Sequence, residues 1–129
     1  MSAPEVAPLV KQISQAQIGR YADATGDHNP IHIDEAFARA TPFGGTIAHG
    51  MLVLASISEM MAAAFGEAWL TGGRLRVRFR APARPGDTIT ARAQAQSQRD
   101  GTTLTYGVEC KNQAGELLIS GAAEVPSGG

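Results

Sequence analysis

A short loop in the first third of the chain carries a carboxylate and an imidazole that are suited to general acid–base chemistry. The residues at 26–32 are GDHNPIH, so Asp27 and His32 stand on either side of a bend that Pro30 makes rigid. A carboxylate near an imidazole can position and activate one water molecule. Gly-Asp and Asn-Pro pairs are also common in turns, so these residues alone leave a purely structural turn open. His28 is expected to be exposed.

A second group of residues is suited to binding an oxygen that gains negative charge. The residues at 43–51 are FGGTIAHGM, which places glycines directly before an apolar helix. The N-terminal end of a helix presents free N–H groups and a partial positive charge. Such an end can stabilise a thioester carbonyl oxygen as it becomes an oxyanion. Flexibility and helix capping explain the same glycines, and His49 taken alone is typical of a structural hydrogen bond.

The elements that must position these groups begin with helices, predicted over residues 14–24, 35–40 and 48–65. Ser14 and Asp34 are the expected caps of the first two. The third is apolar almost all round, which is typical of a helix enclosed by other elements. Between the first two helices a turn-rich segment is predicted over residues 27–33, because Pro30 denies Asn29 helical geometry.

The second half of the chain changes to a period of two, which predicts strands. Apolar residues alternate with four arginines over 74–80 and with polar residues over 88–98. A hairpin turn is predicted at Asp100 and Gly101. The buried faces are expected to comprise Leu75, Val77, Phe79, Ile89, Ala91, Ala93, Ala95, Leu104, Tyr106, Val108, Cys110, Leu117, Ile119 and Val125.

Helices followed by strands indicate an α+β fold with an antiparallel sheet. The small residues on the buried faces suit a sheet that curls tightly around the long helix. A long central helix wrapped by an antiparallel sheet is the hot-dog architecture, and we expect one such domain over residues 1–129.

Composition and charge exclude several classes of protein. A net charge of −1 and 5% aromatic residues give no basis for binding nucleic acid. The apolar stretch at 50–65 is interrupted by Ser56, Ser58 and Glu59, which predicts a buried helix and not a membrane span. The single cysteine, Cys110, excludes an internal disulfide and argues against a structural zinc site. The sequence has no recognisable signal peptide, so we expect a cytoplasmic protein. We also expect that the protein needs no metal or other cofactor.

Together these motifs resemble those of the R-specific enoyl-CoA hydratases in the MaoC-like dehydratase family of hot-dog proteins. The resemblance lies in YADATGDHNPIHIDEAFA at 21–38, TIAHGM at 46–51 and VRFRAPARPGD at 77–87. The first segment contains the specific Gly-Asp-x-Asn-Pro-aliphatic-His core, and the resemblance as a whole extends along nearly the whole chain. The resemblance implies a hydro-lyase that reversibly hydrates a trans-2-enoyl-CoA to an (R)-3-hydroxyacyl-CoA.

The resemblance also implies roles for individual residues. Asp27 and His32 are the catalytic pair, which holds a water molecule between its side chains. The residues with substrate-binding roles are Asn29, His49, Gly50 and Ser58. Among them, Asn29 orients the loop, the Gly50 N–H receives the thioester oxygen, and Ser58 supports the catalytic pair.

Three other functions remain open at this stage. An acyl-CoA thioesterase of the same fold needs an acidic residue on the central helix, where only Glu59 stands, without a nearby histidine. A 3-hydroxyacyl-carrier-protein dehydratase uses the same pair on a different thioester. A non-catalytic binding module for acyl thioesters does not need both Asp27 and His32.

The expected partners are an acyl-CoA substrate and a second copy of the chain. A single sheet of this kind leaves an edge open, and edges are normally paired or covered, so we expect at least a homodimer. The four arginines over 74–80 fit contacts to coenzyme A phosphates and a solvated sheet face equally well.

Overall fold

A computed structural model describes residues 3–96 and 101–127, in which one long helix lies against the inner face of an antiparallel sheet. The elements in chain order are β1 (Leu9–Gln12), α1 (Gln15–Thr25), α2 (Pro30–Ile33), α3 (Glu35–Arg39), α4 (Gly50–Phe65), α5 (Glu67–Gly72), β2 (Arg74–Phe79), β3 (Thr88–Ala95), β4 (Thr103–Lys111) and β5 (Leu117–Pro126). Among the residues described, no helix is both long and apolar enough to cross a membrane.

The sheet has five strands in the order β1-β3-β4-β5-β2, and every neighbouring pair is antiparallel. Cys110 of β4 lies opposite Ala91 on one side and Ile119 on the other, and all three side chains are buried, so one face of the sheet is apolar. This arrangement confirms the predicted α+β fold. The hairpin turn predicted at Asp100 and Gly101 falls partly outside the described residues, although β3 and β4 do pair as neighbours.

Helix α4 fills the inner face of the sheet and contacts β1, β3 and β4. Its buried side chains are Leu52, Val53, Ser56, Ile57, Met60 and Met61. Ser56 is tolerated in the core because its hydroxyl donates to the Val53 carbonyl oxygen at 2.7 Å. Burying each large aliphatic side chain stabilises the fold by about 1.5–3 kcal/mol, so these side chains hold α4 against the sheet.

The sequence patterns predict neither β1 nor α5. β1 has four residues, which is too short for an alternating pattern to stand out, and it is defined by its pairing with β3. α5 directly follows Gly66, whose φ of 58° ends α4 and starts a new helix in another direction. Gly73 then ends α5, directly before β2 begins at Arg74.

The segment predicted to be rich in turns contains a helical turn, α2, and this corrects the prediction. Asn29 is outside the helix, with φ −58° and ψ 130°, as the following proline requires. Pro30 itself occupies the first helical position, where its missing N–H costs nothing and its fixed φ suits the helix.

Phe79 and Ala95 lie on the apolar face of the sheet, opposite Ile119 and Tyr106, but they are exposed and not buried as predicted. Both stand at the last positions of their strands, and Phe79 is 55% exposed. The Phe79 ring packs against the start of α4, so close that a Cβ on Gly50 would lie 3.0 Å from it. Leu75 and Val77 are half-buried because β2 is an edge strand.

Candidate active site

The end of α1 determines where Asp27 lies. Gly26 ends the helix with φ 78°, a left-handed conformation that glycine adopts without strain, and its N–H donates to the Ala22 carbonyl oxygen at 2.8 Å. The chain reverses there and leaves the Asp27 side chain exposed. The Asp27 carboxylate accepts the Asn29 N–H at 3.3 Å, which orients the carboxylate without burying it.

Asn29 positions the next part of the loop. Its side-chain oxygen accepts the Ile31 N–H at 3.2 Å and so caps α2. His32 stands one turn later, in the last turn of this short helix. Asn29 therefore links Asp27 to His32. Its main-chain N–H orients the Asp27 carboxylate, and its side-chain oxygen caps the short helix that carries His32.

His32 is held by the segment that leads into α4. Its Nδ1–H donates to the Ile47 carbonyl oxygen at 2.8 Å, and this partner assigns the tautomer because a carbonyl cannot donate. The Ile47 N–H returns a bond to the Ile31 carbonyl oxygen at 3.1 Å. Nε2 of His32 therefore carries the lone pair and is available to accept a proton or a hydrogen bond.

A polar network behind His32 is not apparent from the sequence. Gln15 donates its side-chain N–H to the His32 carbonyl oxygen at 2.8 Å and accepts the hydroxyl of buried Thr46 at 2.7 Å. The Thr46 N–H and hydroxyl also donate to the Glu35 carboxylate, at 3.3 and 3.2 Å. The Thr46 N–H, assisted by Arg39, lowers the pKa of Glu35, which therefore stays ionised as an acceptor.

The His49 side chain contacts both Asp27 and His32. It is buried, its Nε2–H donates to the Asp27 main-chain carbonyl oxygen at 3.0 Å, and its ring stacks on that of His32 with centroids 3.8 Å apart. Tyr21 packs on it at 4.7 Å. The sequence alone associates His49 with the start of α4, whereas the structure also brings it against Asp27 and His32.

The N-terminus of α4 lies beside this cluster. The His49 carbonyl oxygen accepts the N–H groups of Leu52 and Val53, so the helix begins with Gly50 at its first position. The first N–H groups of an α-helix have no intrahelical partner and point out along the axis. Gly50 is exposed, and its N–H is thus available to an acceptor oxygen.

Ser58 and the predicted arginines are not part of this cluster. Ser58 stands eight residues beyond Gly50, about 12 Å along the helix axis, and its hydroxyl accepts the indole N–H of Trp69 at 3.0 Å. The arginines of β2 are exposed on the strand that forms one edge of the sheet. The structure therefore gathers Asp27, His32, His49 and Gly50, and leaves Ser58 two turns away.

His28 is exposed, as the sequence predicts. Its Nε2 is 2.9 Å from a carboxylate oxygen of Asp23. This hydrogen bond is the main reason that the pKa of His28 is raised. His28 thus faces away from the cluster, toward α1.

The cluster also offers one ligand atom from each of Asp27, His32 and His49, all within 4.8 Å of one another. The two imidazole planes are inclined by only 24° at a centroid separation of 3.8 Å. A zinc ion bound by both rings would have to lie close to both ring planes, roughly 2.0–2.1 Å from a nitrogen of each. Two ring planes that are stacked and so little inclined meet only far from those nitrogens, so one ion cannot bind both rings. The geometry therefore suits a hydrogen-bonded water better than a metal ion.

The arrangement combines three functions in one place. The Asp27 carboxylate can accept a proton, Nε2 of His32 can accept a hydrogen bond or a proton, and the Gly50 N–H can stabilise an oxyanion. A carboxylate, an imidazole and an oxyanion donor together fit proton transfer on a compound that contains a carbonyl group.

Comparisons with known proteins agree with this chemistry. The family model described as MaoC like domain matches residues 4–115. The chain is 33% identical over 120 residues to an (R)-specific enoyl-CoA hydratase of Rhodospirillum rubrum, which covers 92% of this chain and 83% of that protein. It is 37% identical over 86 residues to a 3-hydroxybutyryl-CoA dehydratase of Methylorubrum extorquens, which covers 67% of this chain but 55% of that protein.

The structural comparison extends over almost the whole chain. The solved structure of an (R)-hydratase from A. caviae involved in PHA biosynthesis matches with a TM-score of 0.81 and 29% sequence identity. The match covers 97% of this chain and 98% of that one. The two proteins therefore share the fold from end to end.

The hydrogen bonds predict opposite tautomers for the two stacked histidines. In ¹⁵N NMR spectra of the neutral rings, His32 should carry its proton on Nδ1 and His49 on Nε2, because each N–H has a carbonyl acceptor. Spectra of His32→Gln and His49→Gln variants assign the signals, and exposed His28 serves as the internal reference. A neutral His32 found mainly as the Nε2–H tautomer would contradict the geometry described above.

Proposed function

Since this chain belongs to the family of MaoC-like domains, we propose that it is a hydro-lyase that adds water to trans-2-enoyl-CoA and forms (R)-3-hydroxyacyl-CoA reversibly. The observation that carries the proposal is the free Nε2 of His32, which lies with the Asp27 carboxylate at the N-terminus of α4. The named activities of the relatives from Rhodospirillum rubrum and Methylorubrum extorquens support a hydration or dehydration of acyl-CoA thioesters.

In the proposed reaction, one water molecule donates hydrogen bonds to the Asp27 carboxylate and to Nε2 of His32. Asp27 takes a proton from the water molecule while the oxygen of the water forms a bond to Cβ of the enoyl group. The electron pair of the double bond moves to the thioester, whose oxygen gains negative charge and accepts the Gly50 N–H. The catalytic pair then returns one proton to Cα, so that one water has been added across the double bond.

Contacts of Glu59 weigh against the thioesterase alternative. The Glu59 carboxylate pairs with Lys11 at 2.5 Å, and half of its side chain is exposed. It lies nine residues beyond Gly50, about 13–14 Å along α4. An acid at that distance cannot act on a thioester whose oxygen is held by the Gly50 N–H.

Exposed apolar side chains at the start of α4, beside it and in the segment before it support the proposal that a second copy of the chain completes the site. Met51, Phe79 and Phe43 are 59%, 55% and 41% exposed. Such side chains are normally covered by a partner or a ligand. The free edge of β2 ends at Phe79, so a homodimer formed through this edge would cover these three side chains and form one wall of the acyl-binding pocket.

The catalytic pair is tested by Asp27→Asn and His32→Ala, assayed by the loss of the conjugated absorbance of crotonyl-CoA. Each substitution should lower turnover by about 10²–10⁴-fold, because a positioned acid or base contributes that much. The double variant should be little worse than either single one, since both residues act on one water. His28→Ala, outside the cluster, should stay near the parent rate.

The hydratase proposal fails if Asp27→Asn keeps a rate within a few-fold of the parent on an enoyl thioester. In that event, release of free thiol from a saturated acyl-CoA, compared between the parent chain and Glu59→Gln, tests the thioesterase alternative. Crotonyl groups linked to coenzyme A and to an acyl carrier protein, assayed side by side, distinguish the two hydratase substrates.

The oxyanion role of the Gly50 N–H is tested by Gly50→Pro, with Gly50→Ala as its matched control. Proline is tolerated at the first position of a helix, and His49 already has the extended conformation that a following proline requires. Both variants add a Cβ near Phe79, but only proline removes the N–H. Gly50→Pro should therefore turn over about 10²–10³-fold more slowly than Gly50→Ala. Equal rates would show that another group binds the oxygen.

Assembly is tested by sedimentation velocity at micromolar concentration, where we expect a dimer. Phe79→Asp should weaken the dimer, because it places a charge among the apolar side chains of the proposed interface. Leu70→Asp is the control, since Leu70 is an apolar residue on α5 that is 74% exposed. A parent chain that sediments only as a monomer would contradict the proposal.

A further inference from the structure

The His49 side chain has the least accessible functional group of the cluster and contacts both members of the proposed catalytic pair. It is 3% exposed, with His32 stacked on its ring at 3.8 Å and Tyr21 packed on it at 4.7 Å. A substrate therefore has no route to the ring itself. We propose that His49 is a positioning residue, which acts on the hydration reaction only through Asp27 and His32. This inference rests on the proposed function.

The first contact sets the position of Asp27. The His49 Nε2–H donates to the Asp27 main-chain carbonyl oxygen at 3.0 Å, across 22 positions of the chain. Within residues 3–96 and 101–127, the other hydrogen bonds of Asp27 are short-range, from its N–H to Thr25 Oγ1 and from the Asn29 N–H to its carboxylate, both 3.3 Å long. The bond from His49 thus ties an exposed loop residue to the buried start of α4.

The second contact sets the plane of the His32 ring. The His32 ring turns about its Cβ–Cγ bond, and the one side-chain hydrogen bond that it makes among the described residues, from Nδ1 to the Ile47 carbonyl oxygen, restricts this rotation only in part. Stacking on the buried His49 ring removes this rotation. Nε2 of His32 is thereby aimed in one direction relative to Asp27.

The other nitrogen of His49 has no contact that a role in proton transfer would need. Its Nδ1 is buried and has no hydrogen-bond partner among the described residues. A water molecule or a substrate therefore cannot reach it to exchange a proton. Within the described part of the chain, the ring makes one hydrogen bond, which its Nε2–H donates to Asp27.

Three substitutions separate the two contacts. His49→Gln keeps a donor near the position of Nε2 but loses the aromatic ring, His49→Phe keeps the ring but loses the donor, and His49→Ala loses both. On crotonyl-CoA, His49→Ala should lower kcat on the order of 100-fold with little change in KM, since a 1 Å misplacement of reacting groups costs about that much. Gln and Phe should each restore part of that loss.

Combination with Asp27→Asn tests whether His49 acts through the pair. Once Asp27 is disabled, His49→Ala should reduce the remaining rate by no more than a few-fold, because the group it positions no longer works. A full additional loss in this background would overturn the proposal. A rise in KM at unchanged kcat would also overturn it, because this pattern belongs to a residue that binds substrate.

A measurement that needs no activity separates this proposal from the proposed function. In ¹⁵N NMR spectra, the Nδ1–H signal of His32 should be sharp in the parent chain and in His49→Phe, and broadened in His49→Ala. An unchanged His32 signal in a folded His49→Ala variant would refute the positioning role even if the chain hydrates no enoyl thioester. If the signal changes as expected but the parent does not hydrate crotonyl-CoA, the proposed function fails and the positioning of His32 stands.

Discussion

The hydrogen bond from Nδ1 of His32 to the Ile47 carbonyl oxygen is the contact on which the site depends. It assigns the tautomer of His32 and holds the loop after α1 against the segment that enters α4. The Ile47 N–H returns a bond to Ile31, and the Ala48 N–H donates to Ala83 in the linker between β2 and β3. The loop, the helix start and the linker between β2 and β3 are thus held in one arrangement by one side-chain hydrogen bond and two main-chain hydrogen bonds.

The cost of placing polar groups in this region is offset locally. Thr46 is 4% exposed, yet its hydroxyl and N–H are satisfied by Gln15 and by the Glu35 carboxylate. The two histidines each donate to a main-chain carbonyl oxygen. Asp27 is exposed, so its carboxylate keeps its hydration, whereas the His32 side chain is half-buried and the His49 side chain is buried.

The same arrangement explains why the surface around the helix start is apolar. Gly50 leaves room for the Phe79 ring, which packs beside the start of α4, and the next side chain of the helix, Met51, is also apolar and exposed. An apolar surrounding strengthens a hydrogen bond to a developing oxyanion, because it lowers the local dielectric constant. In a single protomer these apolar side chains are exposed to solvent, and the proposed second copy of the chain would cover them. Glu59, by contrast, faces Lys11 far along α4 and contributes nothing at this end.

The sequence by itself determined what depends on neighbours in the chain: the caps Ser14 and Asp34, the bend around Pro30, the strands and the long apolar helix. It also pointed to the pair of Asp27 and His32, since five positions of one loop bring them close. Only the tertiary structure decided the rest. It brought His49 against both residues, left Ser58 about 12 Å along the helix with Trp69 as its partner, and left Phe79 exposed at the end of β2. Those outcomes depend on how α4 packs across the sheet, which joins residues far apart in the chain and leaves no local pattern in the sequence.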